Sequence, residues 1–331
     1  MGRDYILILG GLGFLGANIS EFHRERGDNV LIVCRKKSVY KRWFLYESLR
    51  EIGVEFLIRD TVYPELITDI LRQWGVPQIL YNVIGKLHGR RRDLIYSHVI
   101  LPYTWSKEVT EKGEGTLIIY VSHAFQFGCY KIRRRGGEIL IEEEEVHLRN
   151  CIPKTPYEET KALGERLILS IETKGCKIVI LRPGLLVGRY SYHPEWKILY
   201  KLAKKGILIG KGIRVPVTPA VDIPRIGKFL LDKDMDKDWF HVVPYTLDIG
   251  ELHRLMIKLV GAGEKIRIPV GELLKKINKI RYMNVMLPIS MRLHEKMVYS
   301  LKKLGDVGYV GWTSLTRVIR ESVKWMESTR I

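Results

Sequence analysis

The chain has 331 residues, 46% hydrophobic and 28% charged, long enough to bury a full core in one large domain or two interlocked ones. No apolar run approaches the roughly 20 residues of a membrane-spanning helix. Cys34, Cys129, Cys151 and Cys176 form neither a C-x-x-C pair nor a cluster with histidine, so a disulfide or metal scaffold is not expected and a cytoplasmic protein is. A net charge of +18, with basic runs at 35–37, 90–92 and 133–135, asks for an anionic ligand or surface; without a helix-turn-helix, zinc-finger or RNA-binding signature, nucleic acid is not the expected partner.

In chain order, short apolar runs alternate with amphipathic stretches through the first half. Strands are predicted at Tyr5–Leu9, Val30–Cys34, Val54–Ile58, Gln78–Val83, Thr116–Val121 and Lys177–Leu181. Helices are predicted at Ala17–Arg26, Pro64–Trp74 and Tyr157–Glu172, long enough to cross back over a parallel sheet. This is the pattern of an α/β, Rossmann-type doubly wound sheet. It is expected to occupy residues 1–188, with segments of 213–245 returning to it, and residues 189–331 to form mainly a smaller α/β domain for substrate or partner. The acidic run Glu142–Glu145 behind the basic triplet reads as a solvated, charge-balanced loop or hairpin.

Directly after the first strand comes Gly10-Gly11-Leu12-Gly13-Phe14-Leu15-Gly16, then a helical pattern from about Ala17. Strand, glycine turn and helix in that order form a dinucleotide-phosphate site, because side chains there would block the backbone N–H groups and the positive helix end. Gly10, Gly13, Phe14, Leu15 and Gly16 are the expected contacts. The second strand ends Cys34-Arg35-Lys36-Lys37, with no carboxylate to bind a ribose 2′-hydroxyl; Arg35 and Lys36 instead suit a 2′-phosphate, which predicts NADP(H) over NAD(H). Asp60 after the third strand could accept from the adenine, and Val83, Ile84 and Gly85 after the fourth could line the adenosine.

Tyr157 and Lys161 form a Y-x-x-x-K pair that a helix sets on one face. The ammonium is expected to lower the phenol pKa, fitting it to exchange a proton with a substrate hydroxyl or carbonyl. The spacing also occurs at Tyr103/Lys107, Tyr200/Lys204 and Tyr299/Lys303. Thr155-Pro156-Tyr157-Glu158 favours the first pair, reading as a capped helix start.

With Gly10–Gly16, Asp60, Tyr157/Lys161/Glu165, Leu181-Arg182-Pro183-Gly184 through Gly188, and Val221-Asp222, the chain resembles the extended short-chain dehydrogenases/reductases, the NAD(P)-dependent epimerase/dehydratase group. The resemblance implies an oxidoreductase or epimerase/dehydratase acting on a small hydroxyl or carbonyl substrate such as a nucleotide sugar. It also implies Pro183 at the cofactor, Lys161 on the nicotinamide ribose, and a hydroxyl-bearing residue after the fifth strand. That segment reads Val121-Ser122-His123-Ala124-Phe125-Gln126-Phe127-Gly128, and counting back from Gly128 puts His123 in the hydroxyl position, with Ser122 one register step away. With Leu9 and Tyr81–Gly85, this is also similar to the NADPH-binding accessory subunit of respiratory complex I and its relatives, which implies a largely structural cofactor. A homodimer is the pairing relatives imply.

In the second half Asp222 is expected to cap a helix. The basic stretch Lys275–Arg281, followed by apolar Met283–Leu287, reads as a domain helix or as a contact with a membrane surface or protein partner.

Overall fold

The computed structural model describes residues 5–59, 64–87, 89–124, 133–135, 138–143, 155–210, 212, 214–269 and 297–329. The chain divides into two compact units: Met1–Gln126, Pro156–Arg182 and Ile223–Phe240 form one, and Phe127–Thr155, Pro183–Asp222 and His241–Ile331 the other.

In the first unit seven strands make one sheet: β1 (Tyr5–Leu9), β2 (Asn29–Cys34), β3 (Glu55–Ile58), β4 (Ile79–Asn82), β5 (Leu117–Val121), β6 (Lys177–Pro183) and β7 (Asp238–Val242). Their order is β7-β6-β5-β4-β1-β2-β3, and the pairs from β3 across to β6 are parallel. The six strands expected from sequence are all present, and β7, from the returning segment, is added. Helices α1 (Phe14–Arg24), α2 (Lys36–Lys41), α3 (Trp43–Glu51), α4 (Pro64–Trp74), α5 (Arg91–Ile95), α6 (Leu101–Lys112), α7 (Pro156–Leu169) and α8 (Asp222–Leu230) connect the strands, with a π-helical turn at Tyr96–Ile100.

Burial on both faces explains why β1 and β2 read as unbroken apolar runs rather than alternating ones. Leu7, Leu80, Ile118 and Ile178 share one core with Ile67 and Ile70 of α4 and Trp105 of α6. On the other face, Gly227 lets α8 settle onto the sheet: a Cβ there would lie 2.2 Å from the Tyr81 hydroxyl and 2.8 Å from Ile119 Cδ1. Register then positions the site. Leu9 pairs with both Val33 and Asn82, Asn82 with Tyr120, and Val121 with Leu181. The segments leaving β1, β2, β4 and β5 therefore emerge at one carboxyl edge, where open α/β sheets bind their ligands.

The second unit contains three small sheets. Arg214–Pro219 pairs antiparallel with Tyr245–Asp248 and parallel with Leu185–Val187. The hairpin Arg133–Arg135/Glu138–Ile141 takes Met297–Tyr299 as a third strand, and Ile207–Ile209 pairs with Ile266–Ile268. The hairpin takes in the basic run and ends before the acidic one, of which Glu144 and Glu145 lie outside the described residues; Glu143 does not lie on a solvated face. It is buried, and its carboxylate accepts from the backbone N–H groups of His241 and Lys303, both at 3.1 Å. Asp222, expected as a cap, opens α8 and accepts from the Thr313 N–H at 3.2 Å. No helix among the described residues is long and apolar enough to cross a membrane. The stretch from Lys275 through Leu287 lies outside the described residues.

Candidate active site

The turn excludes a side chain at Gly11 and Gly16 and disfavours one at Gly10. Gly10 leaves β1 at φ +89°, in the left-handed region, and Gly13 N–H closes the turn on the Gly10 carbonyl at 2.8 Å. A Cβ on Gly16 would lie 2.4 Å from Gly11 Cα, and one on Gly11 2.5 Å from Ile32. On Gly10 and Gly13 the nearest atoms would be the carbonyl oxygens of Val83 and Gly10, each at 3.0 Å. The helix begins at Phe14, not near Ala17. Glycine is costly inside a helix, which steers a sequence reading past Gly16, but here the absence of a side chain is what lets α1 approach the strand. Phe14 and Leu15 are thus buried in the first turn, which carries no acidic residue, and Gly13 provides no side-chain cap. Such a cradle suits an anionic phosphate at the helix N-terminus.

Arg35, Lys36 and Lys37 are exposed where β2 ends, and the Arg35 carbonyl accepts from Ser38 N–H at 2.8 Å as α2 begins. Val83 and Ile84 are half-buried and Gly85 exposed after β4. Asp60 lies outside the described residues, as do Phe125–Gly128. Pro183 ends β6 and is the first residue of the second unit.

Tyr157 and Lys161 occupy one face of α7 and are both buried. Of the other Y-x-x-x-K pairs, Tyr299 lies in a strand and Tyr200 in the helix Pro194–Lys204 of the second unit, while Tyr103 is on α6. Lys161 Nζ donates to the Val121 carbonyl at 3.0 Å, and a Cβ on Gly85 would lie 3.9 Å from it. Burial draws the Lys161 pKa down to about 8, with the Glu165 carboxylate pulling the other way. The Tyr157 phenol departs from expectation. It is pushed above its ordinary value, first by burial and then by the neighbouring Glu158 carboxylate, so desolvation outweighs the lysine one turn away.

His98, which no spacing rule had singled out, stands beside this pair. Pro102 lacks the N–H that would bond back to the His98 carbonyl four residues earlier. The helix relaxes into the π-turn, and the Tyr120 hydroxyl donates to that carbonyl at 2.9 Å instead. Gly164 lets α7 come close: a Cβ there would lie 2.4 Å from both the His98 carbonyl oxygen and the Tyr120 hydroxyl. The His98 ring meets Tyr157 edge-on at 5.2 Å between centroids. Its Nε2 accepts from Lys86 N–H at 3.1 Å, so Nδ1 carries the proton and donates to Thr160 Oγ1 at 2.8 Å. One neutral imidazole thereby ties the backbone after β4 to the helix of Tyr157 and Lys161.

Burial, then the Lys161 ammonium, hold the His98 pKa down at about 2. The unfolded chain binds this proton below its ordinary pKa of about 6.5 and the folded chain does not, so the contribution to stability is whole above that pH and is lost as pH falls. Replacing His98 with Asn should flatten the acid limb by one proton, about 1.4 kcal/mol per pH unit below about pH 6. Urea unfolding at several acidic pH values measures it; an unchanged slope would show that His98 titrates normally.

Ser122 and His123 follow β5. Ser122 is buried, with its N–H donating to the Leu181 carbonyl at 2.8 Å. The His123 ring stands edge-on to Tyr157 at 5.9 Å, and burial, then Lys161, draw its pKa down to about 3. Both residues thus lie beside the Tyr/Lys helix, and it is the His123 ring that packs on the phenol. Behind them, the fully buried Arg182 and Glu165 form a forked ion pair, Nη2 to Oε2 at 2.7 Å and Nε to Oε1 at 3.1 Å, joining β6 to α7. The arrangement provides a phenol, an ammonium, a hydroxyl and two neutral imidazoles at the edge where the glycine turn opens, a set suited to proton exchange with an oxygen-bearing substrate.

The sequence profile of the NAD dependent epimerase/dehydratase family matches residues 6–243. Sterol demethylase protein B of Methylococcus capsulatus is 25% identical over 259 residues, covering 77% of this chain and 74% of the relative. In fold, the chain is similar to the Bordetella bronchiseptica enzyme WbmH in complex with NAD+, with a TM-score of 0.71, 14% identity and 99% of each chain covered. It is likewise similar to the UDP-glucose 4-epimerase of Thermus thermophilus in complex with NAD, with a TM-score of 0.69, 18% identity, and 98% and 99% of the two chains covered.

Proposed function

Because the chain belongs to the NAD dependent epimerase/dehydratase family, we propose that it binds NADP(H) and is an oxidoreductase or epimerase/dehydratase acting on a hydroxyl- or carbonyl-bearing small molecule. The observation that carries this reading is the convergence of Tyr157, Lys161 and Ser122 at the sheet edge where the tight glycine-rich turn opens. A nucleotide sugar is the substrate class suggested by the UDP-glucose 4-epimerase neighbour, and a sterol the one suggested by the name of the relative from Methylococcus.

In this reading the Gly10–Gly16 turn and the start of α1 hold the pyrophosphate, and Val83, Ile84 and Gly85 flank the adenosine. Asp60 and Pro183 are kept as further cofactor contacts. The nicotinamide, when bound, supplies or accepts a hydride. The chain's own part is the proton. Tyr157, whose phenol pKa burial holds above its ordinary value, gives its proton to a substrate oxygen or takes one back. The Ser122 hydroxyl or the neutral His123 ring donates a hydrogen bond that orients that oxygen. Lys161 carries the local positive charge and binds the ribose. Absorbance of the reduced nicotinamide, followed with nucleotide sugars, sterols and simple carbonyl compounds, tests the reading; no turnover across these classes would defeat it.

Arg35 decides the cofactor. Arg35→Ala should weaken NADP(H) binding by about 10- to 150-fold, the loss of one charged hydrogen bond worth about 1.5–3 kcal/mol, and leave NAD(H) binding nearly unchanged. Calorimetric titration of both cofactors measures this. Tighter NAD(H) than NADP(H) binding by the unmodified protein would reverse the assignment.

A second reading has its own observation. His123 stands where the family pattern has a hydroxyl, and Tyr157 is pushed away from the activated range. Both suit a protein that holds NADPH as a structural element, as the resemblance to the complex I accessory subunit implies.

A further inference from the structure

Of the large apolar side chains exposed among the described residues, Tyr40, Trp43, Phe44 and Ile52 fall within or directly after α2 and α3. Tyr40 is 69% exposed and Trp43 54%. The fold does not need these rings to anchor the helices, because Val39, Leu45 and Leu49 are buried beneath them. Tyr46 supports the layer from below, packing on Trp43 at 5.2 Å and on Phe56 at 4.6 Å between ring centroids. Scattered exposed apolar residues are ordinary, whereas three exposed aromatic rings within five residues of chain, Tyr40, Trp43 and Phe44, point to a contact surface.

The charges around the rings identify the contact. From Arg35 to Tyr46 the chain carries Arg35, Lys36, Lys37, Lys41 and Arg42, and the first carboxylate after them is the half-buried Glu47, one turn along α3 from Trp43. Even with Arg35 and Lys36 engaged by a cofactor phosphate, the exposed Lys37 and Lys41 remain beside the aromatics in the chain. A second copy of this chain presenting the same face would set cation against cation, in a protein whose net charge is already +18. Aromatic rings interleaved with lysine and arginine on a helical surface match the boundary of an anionic bilayer, where indole and phenol rings rest at headgroup depth and cations meet lipid phosphate. We propose that the Tyr40–Phe44 face of α2 and α3 docks this protein peripherally on anionic lipid membranes.

Co-sedimentation with vesicles of phosphatidylcholine alone, or with one third phosphatidylglycerol, tests the proposal with the full chain. The protein should bind only the anionic vesicles, more weakly at higher salt. The charge-preserving double variant Trp43→Ser/Phe44→Ser should lose about tenfold in partitioning, with NADP(H) affinity and circular dichroism unchanged as proof of folding. Brominated lipid should quench a fluorescence component that Trp43→Phe removes. The proposal is overturned if anionic vesicles are not bound, or if the double variant binds them as well as the parent, in which case net charge alone is responsible. It is also overturned if a single-stranded oligonucleotide is bound in preference to vesicles, or if the double variant abolishes a dimer instead.

Discussion

Replacing Tyr157 with Phe should lower kcat by about 10²- to 10⁴-fold, the range that a positioned proton donor contributes, while NADP(H) affinity changes by less than about threefold. The expectation follows from position. Tyr157 is buried on α7 with His98 edge-on from one element and His123 from another, so removing only its hydroxyl leaves the packed ring in place. A change confined to kcat marks a group that acts in the transition state; a rise in KM alone would mark a substrate contact. Rates and cofactor titrations measured on the same preparation separate the two readings of this protein. Equal turnover by parent and variant, with equal cofactor binding, would favour the structural role.

Arg182→Met should destabilise the fold by about 3–5 kcal/mol, because it leaves the Glu165 carboxylate buried without its fork. Both side chains are essentially inaccessible, and their paired contacts at 2.7 and 3.1 Å hold β6 to α7, the helix that carries Tyr157 and Lys161. The cost is that of an uncompensated buried charge and not the net worth of the pair. The double variant Arg182→Met/Glu165→Leu should therefore be more stable than Arg182→Met alone. Urea unfolding of the three proteins measures this. If the double variant is less stable than the single, the pair contributes more than its own desolvation costs.

Much of the carboxyl edge of the sheet is legible in the chain because it is local. Tyr5–Leu9, the glycines that follow and the basic end of the second strand are contiguous, and each element is dictated by nearest neighbours: β-prone apolar residues, then positions that exclude a Cβ, then a helix. The start of α1 was misplaced for the same reason, since helix propensity at Gly16 is a local penalty that a long-range fit to Gly11 overrides. The Thr155-Pro156 start predicts the helix of Tyr157 and Lys161, and α7 begins at Pro156. The membership that this pattern suggested agrees with the family profile over residues 6–243.

His98 had a partial signal, a proline four residues downstream that frees its carbonyl, but nothing in the chain says which donor replaces the missing N–H. The answer, Tyr120, lies on a strand 22 residues later. Glu143 shows the same limit: in a run of four glutamates it reads as a solvated charge, and only the arrival of the backbone at His241 and Lys303 makes it a buried acceptor. Desolvation follows this rule as well. The Tyr157–Lys161 spacing suggested a lowered phenol pKa, because sequence counts charges; burial by distant segments raised it, because the cost of removing an ion from water depends on everything packed around it. Strand, turn and helix identity, and the charge at the end of β2, come from interactions within a few residues and are carried by the chain itself. Which groups lose water, and which distant backbone N–H or hydroxyl meets them, is decided only when the sheet assembles, because those energies belong to contacts between residues tens of positions apart.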